Sequence, residues 1–220
     1  MEAFVRQDSI VRKIWGKSDT ILLIFAGASA EFALNKAVDW LYFTGRLPAD
    51  PLGRLFSTVS YSRKIVFLPY EEAIAAIDKI ARIHKEVERQ RNDTIPMWSY
   101  RDVLYMLIGY SISAFELLEH KLTLAEKEEV FDVFFRMGTR MGLEDLPTSY
   151  ADWLEDRERH LQRELERSSY SVDLYSRYRT HSGSFRNRLQ LTAQPLVSPP
   201  STILLLGLKY AILTIAPLSS

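Results

Sequence analysis

Residues 101–118 read RDVLYMLIGYSISAFELL. The polar side chains in this run are few, and apolar ones fall at every angle of a 3.6-residue period. A helix with no polar face has to be wrapped by other elements, so this one marks the centre of a core. Outward from it, apolar residues recur at three- and four-residue intervals almost throughout, and period-two alternation is scarce. The expectation is an all-α chain, a single-domain orthogonal, globin-like bundle of about seven to eight helices spanning residues 1–198. Residues 199–220 form a separate apolar C-terminal segment.

Local signals divide the chain. Ser18 or Asp19 can cap a long helix through ILLIFAGASAEFALNKAVDWLYF, whose small stretch Ala26 to Ala30 lets another helix or a flat cofactor approach the backbone closely. Asp50-Pro51 reads as an N-cap followed by proline at the first helical position. An amphipathic helix runs from Glu71 to about Arg91, and a turn follows over 92–96. Ser99 is placed to cap the central helix, and Thr123 with Glu126 forms a capping box for one ending near Gly142. Ser149 or Thr148 opens the highly charged ADWLEDRERHLQRELER, expected to lie mostly in solvent. A break at Ser182-Gly183-Ser184 divides the last helical stretch.

Composition removes whole classes of function. The 28 basic and 28 acidic residues balance, so no basic excess points to nucleic acid. The absence of cysteine excludes disulfides, thiolate metal sites and covalent c-type haem. The N-terminus carries acidic residues without an unbroken apolar core, so no signal peptide is expected and the chain reads as cytoplasmic. The apolar run from Ile203 to Leu218 is broken by Lys209 and Tyr210. It reads as a docked helix, a peripheral membrane contact or, least favoured, a span.

Three sets of residues carry chemistry. Ile74, Ile77, Ile80, Ala81, His84 and Val87 share one side of their helix, which places His84 on a core-facing stripe. A buried imidazole either finds a hydrogen-bonding partner or ligates a metal. Arg54, Thr58 and Tyr61 share one face of the preceding helix, as a solvated surface or as a polar wall for an anion or bound oxygen. Tyr110, Ser113 and Glu116 interrupt the apolar central helix. A buried Glu116 would pair with an arginine or carry a raised pKa. His120 and His160 read as surface residues, and no local array of hydrolase, nucleotide or metalloprotease type is present.

The chain reads DPLGRLFST over 50–58, IHKEV over 83–87, DLPTSY over 145–150 and LYSRYRTH over 174–181. Their order and spacing resemble the haem-binding catalytic domain of the MpaB-like and rubber oxygenases (latex-clearing proteins), from about Trp40 to His181. That resemblance implies haem b with His84 as the iron ligand, and Arg54 and Thr58 in the haem pocket with Tyr61 nearby. It also implies a distal acid preceding the arginine, for which Glu31 and Asp39 are the candidates, and dioxygen with an apolar isoprenoid or lipid-like substrate. Glu116 of the central helix is a further buried acid that could act as base. The rubber oxygenases have a lysine just before the threonine, and here Ser57 stands there. A non-catalytic haem sensor or carrier, and a membrane-associated lipid-binding module, are the alternative readings.

Overall fold

The computed structural model describes residues 3–43, 51–180 and 185–207, without the side chains of 41, 43, 51–56, 178–180 and 185–190. Among the described residues it is entirely helical, with two isolated β-bridges and no strand. The helices are α1 Ile10–Gly16, α2 Ser18–Phe32, α3 Val38–Phe43, α4 Pro51–Phe67, α5 Tyr70–Arg91 and α6 Met97–Leu118. They continue with α7 Leu124–Arg140, α8 Tyr150–Arg163, α9 Ser169–Thr180, α10 Phe185–Val197 and α11 Pro200–Leu206. The all-α expectation holds. The finer division exceeds seven or eight in part because the long helix expected through Phe43 breaks after Phe32, where Asn35 Oδ1 accepts from Ala37 N–H at 2.9 Å and α3 becomes a separate short piece.

Several ends follow local chemistry. Thr123 Oγ1 accepts from the Glu126 N–H at 3.3 Å and Glu126 Oε2 accepts from the Thr123 N–H at 2.8 Å, completing the expected box. Ser149 Oγ accepts from Asp152 N–H at 3.1 Å. Two expected caps differ. Lys17, not Ser18 or Asp19, occupies the N-cap of α2, because Asp19 turns to its neighbour Thr20 N–H. The central helix α6 starts at Met97 after Pro96, two residues before Ser99, whose hydroxyl donates back to Pro96 O. Asn92 ends α5 in the left-handed region at φ 54°, a conformation asparagine tolerates better than most residues.

α2 and α6 form the axis of the bundle, and α10 covers the other side of α2. The small AGASA stretch serves this helix packing. A Cβ on Gly27 would lie 2.2 Å from the Tyr110 ring, so the phenol lies flat against bare backbone. Gln194 of α10 donates to Ser29 Oγ at 3.0 Å and accepts from Tyr175 at 3.1 Å. α1 docks through fully buried Trp15, which packs on Phe134 and donates to Ser111 Oγ at 3.0 Å. After Pro199-Pro200, α11 docks against α2 with Thr202 and Ile203 buried, while Leu204 is exposed. No helix among the described residues is long and apolar enough to cross a membrane.

Candidate functional site

α4 and α5 meet at the corner made by Leu68 and Pro69, and both change character with distance from it. On α4, Thr58 and Tyr61 lie seven and four residues before Ile65, so all three share a face. Ile65 is fully buried, Tyr61 is 38% exposed and Thr58 is exposed. On α5, Ile77 and His84 are also seven residues apart on one stripe. Ala73 and Ile77 are fully buried, whereas Ile80, Ala81, His84 and Val87 are only half-buried. The two faces are thus buried near the corner and half-buried to exposed away from it, and this graded stretch is the α4–α5 cleft. Arg54 extends the α4 face by one more turn, and its side chain lies outside the described residues.

His84 is the polar group on the apolar stripe of α5, and its Nδ1 is shut off from solvent. Its ring stands edge-on to Tyr100 of α6, with centroids 5.1 Å apart and planes at 62°. Tyr100 donates to Glu88 Oε1 at 3.3 Å, and the same oxygen accepts from Ile95 N–H at 2.9 Å. Burial and then the charge of Glu88 push the Tyr100 phenol well above its ordinary range, so it stays a donor. One turn beyond, Arg91 stacks over the Trp40 ring at 3.9 Å and donates to Asp39 Oδ2 at 3.1 Å. This joins α3 to the end of the helix that carries His84.

The three candidate acids occupy separate places. Asp39 sits at the α3–α5 junction just described. Glu31, 1% exposed, receives two hydrogen bonds from Arg157 at 2.6 and 2.5 Å and one from the Tyr110 hydroxyl at 2.8 Å. Glu116 differs from expectation in its partners, which are lysines instead of an arginine: Lys127 at 2.8 Å and Lys121 at 3.0 Å, with Leu122 N–H at 3.1 Å. Nor is its pKa raised. Burial pushes it up, but the lysine and backbone hydrogen bonds outweigh that and hold it below the usual value. The grouping of Glu116 with Tyr110 separates accordingly, since Tyr110 turns to Glu31.

The charged helix α8 brings a second correction. His160 is not a surface residue: its side chain is 11% exposed, and Nδ1 donates to Asp102 Oδ1 at 2.5 Å. Asp102 also accepts from Asn35 at 2.5 Å, while Asp156 of the same helix accepts from Tyr105 at 2.6 Å. With Arg157 and Glu31 these groups form a buried polar seam between α2, α6 and α8. Its sequence signal is the spacing of Tyr150, Trp153, Arg157 and Leu161, all buried, which puts a cation on the apolar stripe. His120 is exposed, as expected, and His181 lies outside the described residues.

Among the described residues no three histidines or carboxylates converge as a metal cage. The cleft therefore offers a single imidazole among aliphatic side chains, with a hydroxyl face on the neighbouring helix. A family model described as "ER-bound oxygenase mpaB/B'/Rubber oxygenase, catalytic domain" matches residues 13–214. The chain belongs to this family. The match takes in the cleft, the polar seam and α11 together, and the family description makes this an oxygenase catalytic domain. An oxygenase acts with oxygen on a small-molecule substrate. No curated protein and no solved structure matches the chain.

Proposed function

We propose that the chain is a haem-dependent oxygenase domain acting with dioxygen on an apolar, isoprenoid or lipid-like substrate, and that His84 would hold the haem iron. The supporting observation is the half-open stripe of α5. An amphipathic helix that seals its first turns and leaves Ile80, Ala81, His84 and Val87 half-buried has room for an apolar group beside an imidazole. The donor chemistry fits haem, because a neutral imidazole nitrogen is a common ligand to its iron. When bound, haem supplies the dioxygen and redox chemistry.

The chain's own residues supply the rest. His84 would hold the iron through Nε2, its Nδ1 being shut off from solvent. Ile80, Ala81 and Val87 keep water from the imidazole and offer an apolar surface. Thr58 contributes a hydroxyl able both to donate and to accept, and Arg54 contributes a fixed positive charge to the same α4 face. Tyr61 lies one turn nearer the corner. Among the candidate acids we assign the proton-holding role to Asp39. It pairs with Arg91 on the helix of His84 but stays 37% exposed, whereas Glu31 and Glu116 are enclosed with their cationic partners at 1% and 11% exposure. Of the apolar C-terminal segment, α11 is docked against α2, and residues 208–220 lie outside the described residues.

The test is the absorption spectrum of the protein produced with haem supplied. A Soret band in wild type that is lost in His84→Ala is expected, together with oxygen uptake on addition of an unsaturated isoprenoid. A colourless wild-type protein, or a Soret band unchanged by His84→Ala, overturns the reading. A His84-dependent band without oxygen uptake leaves a haem carrier or sensor instead.

A further inference from the structure

We infer that Tyr100 is the positioning residue that sets the rotational angle of the His84 imidazole. This rests on the proposed role of His84 as a ligand but is observable without any cofactor. An imidazole on a helix turns readily about its terminal torsion, because that sp³–sp² rotation is broad. At His84 the Tyr100 ring restricts that freedom. The Tyr100 ring stands against it at 5.1 Å and 62°, the edge-on arrangement in which the positive rim of one ring meets the face of another.

Tyr100 is itself held. Its hydroxyl donates to Glu88 Oε1, and Glu88 lies one helical turn after His84 on α5. The same oxygen accepts the Ile95 N–H, which fixes the carboxylate across the turn between α5 and α6. The backbone of that turn is closed independently by Asp93 N–H bonding Glu88 O at 3.2 Å, with Asn92 in the left-handed conformation. The path from the turn to Glu88, to the phenol and to the imidazole therefore has a hydrogen bond or ring contact at each step. For a ligating histidine, a fixed ring plane fixes the orbital overlap with the metal, and loss of such outer support lowers metal affinity.

The experiment compares wild type, Tyr100→Phe and Tyr100→Leu. The first measurement is the NMR spectrum of the His84 ring protons in protein without haem. Wild type should show ring-current-shifted signals with cross-relaxation to Tyr100. Tyr100→Phe should keep the shift in reduced form, and Tyr100→Leu should lose it. The second is haemin affinity and the ferrous iron–histidine stretching band. Tyr100→Leu should bind roughly three- to tenfold more weakly, as expected for freeing one immobilised side chain, with a displaced or broadened band. Tyr100→Phe should largely restore both.

His84 signals unmoved by Tyr100→Leu overturn the inference. If Tyr100→Leu does not fold, the Phe variant decides: an unchanged ring shift and band overturn it. If the ring signals respond but wild type binds no haemin, the haem reading fails and the orientation by Tyr100 stands.

Discussion

The α2–α6–α8 seam and the α4–α5 cleft put polar groups to opposite uses. In the seam, ionisable side chains are numerous and enclosed: Glu31 meets Arg157 and Tyr110, and Asp102 meets His160 and Asn35. The cleft holds one imidazole on an aliphatic stripe, half-open to what lies beside it. Conspicuous charge here marks a structural joint, because a buried ion that already has its partners has no capacity left for a ligand. The sparse region is the one we assign to a ligand. Variants in the two places should therefore separate, the seam failing in stability and the cleft in binding.

The largest effect is expected at Arg157. Arg157→Ala leaves the carboxylate of Glu31 buried with only the Tyr110 hydroxyl, and should destabilise by about 3–5 kcal/mol in denaturant unfolding. Replacing both partners, Glu31→Gln with Arg157→Met, should cost clearly less than the sum of the single variants, because no uncompensated charge remains. A strictly additive double variant would show that the two groups do not act as a pair. The next effect is at Gly27. Its added Cβ would overlap the fully buried Tyr110 ring, so Gly27→Ala should cost about 1–3 kcal/mol despite the better helix propensity of alanine. A variant as stable as wild type would mean that the phenol moves aside freely.

Legibility in the sequence follows the same division. Caps and turns are local, so Thr123 with Glu126, Ser149 and the start at Pro51 can be read from a few neighbouring residues. The seam cannot: Glu31 and Arg157 stand 126 positions apart, and the charge density around His160 reads as a solvated helix. Glu31, inside an otherwise apolar helix, and Arg157, on the stripe of Tyr150 and Trp153, each say that a charge is buried but not which partner neutralises it. At the cleft, helical spacing put His84 on the inward stripe, and the ordered motifs singled it out. The contact with Tyr100 had no signal, because it depends on how α5 and α6 cross.

Glu116 belongs to neither place and gives a smaller, pH-dependent effect. Its carboxyl lies below its ordinary pKa in the folded protein: burial pushes it up, but the hydrogen bonds from Lys127, Lys121 and Leu122 outweigh that. A depressed folded pKa contributes stability above the unfolded value of about 4.3, and that contribution is lost as pH falls through the folded value. Glu116→Gln should therefore cost about 1 kcal/mol near neutral pH, and the difference from wild type should shrink steadily in unfolding measured below about pH 4. A difference that stays constant to acid pH would assign the effect to packing.

The smallest stability effect is expected at the residue most exposed to functional demand. His84→Ala removes a half-buried ring and its contact with Tyr100, and alanine favours the helix. Thermal unfolding should therefore shift by less than about 1 kcal/mol, the range of a substitution away from core joints. In the same variant haem binding should be abolished. A loss comparable to that of Arg157→Ala would make His84 one more structural joint, and the contrast between seam and cleft would collapse. Near-native stability with lost binding would assign this imidazole to the ligand, because a side chain whose removal leaves the fold intact contributes little to holding it together.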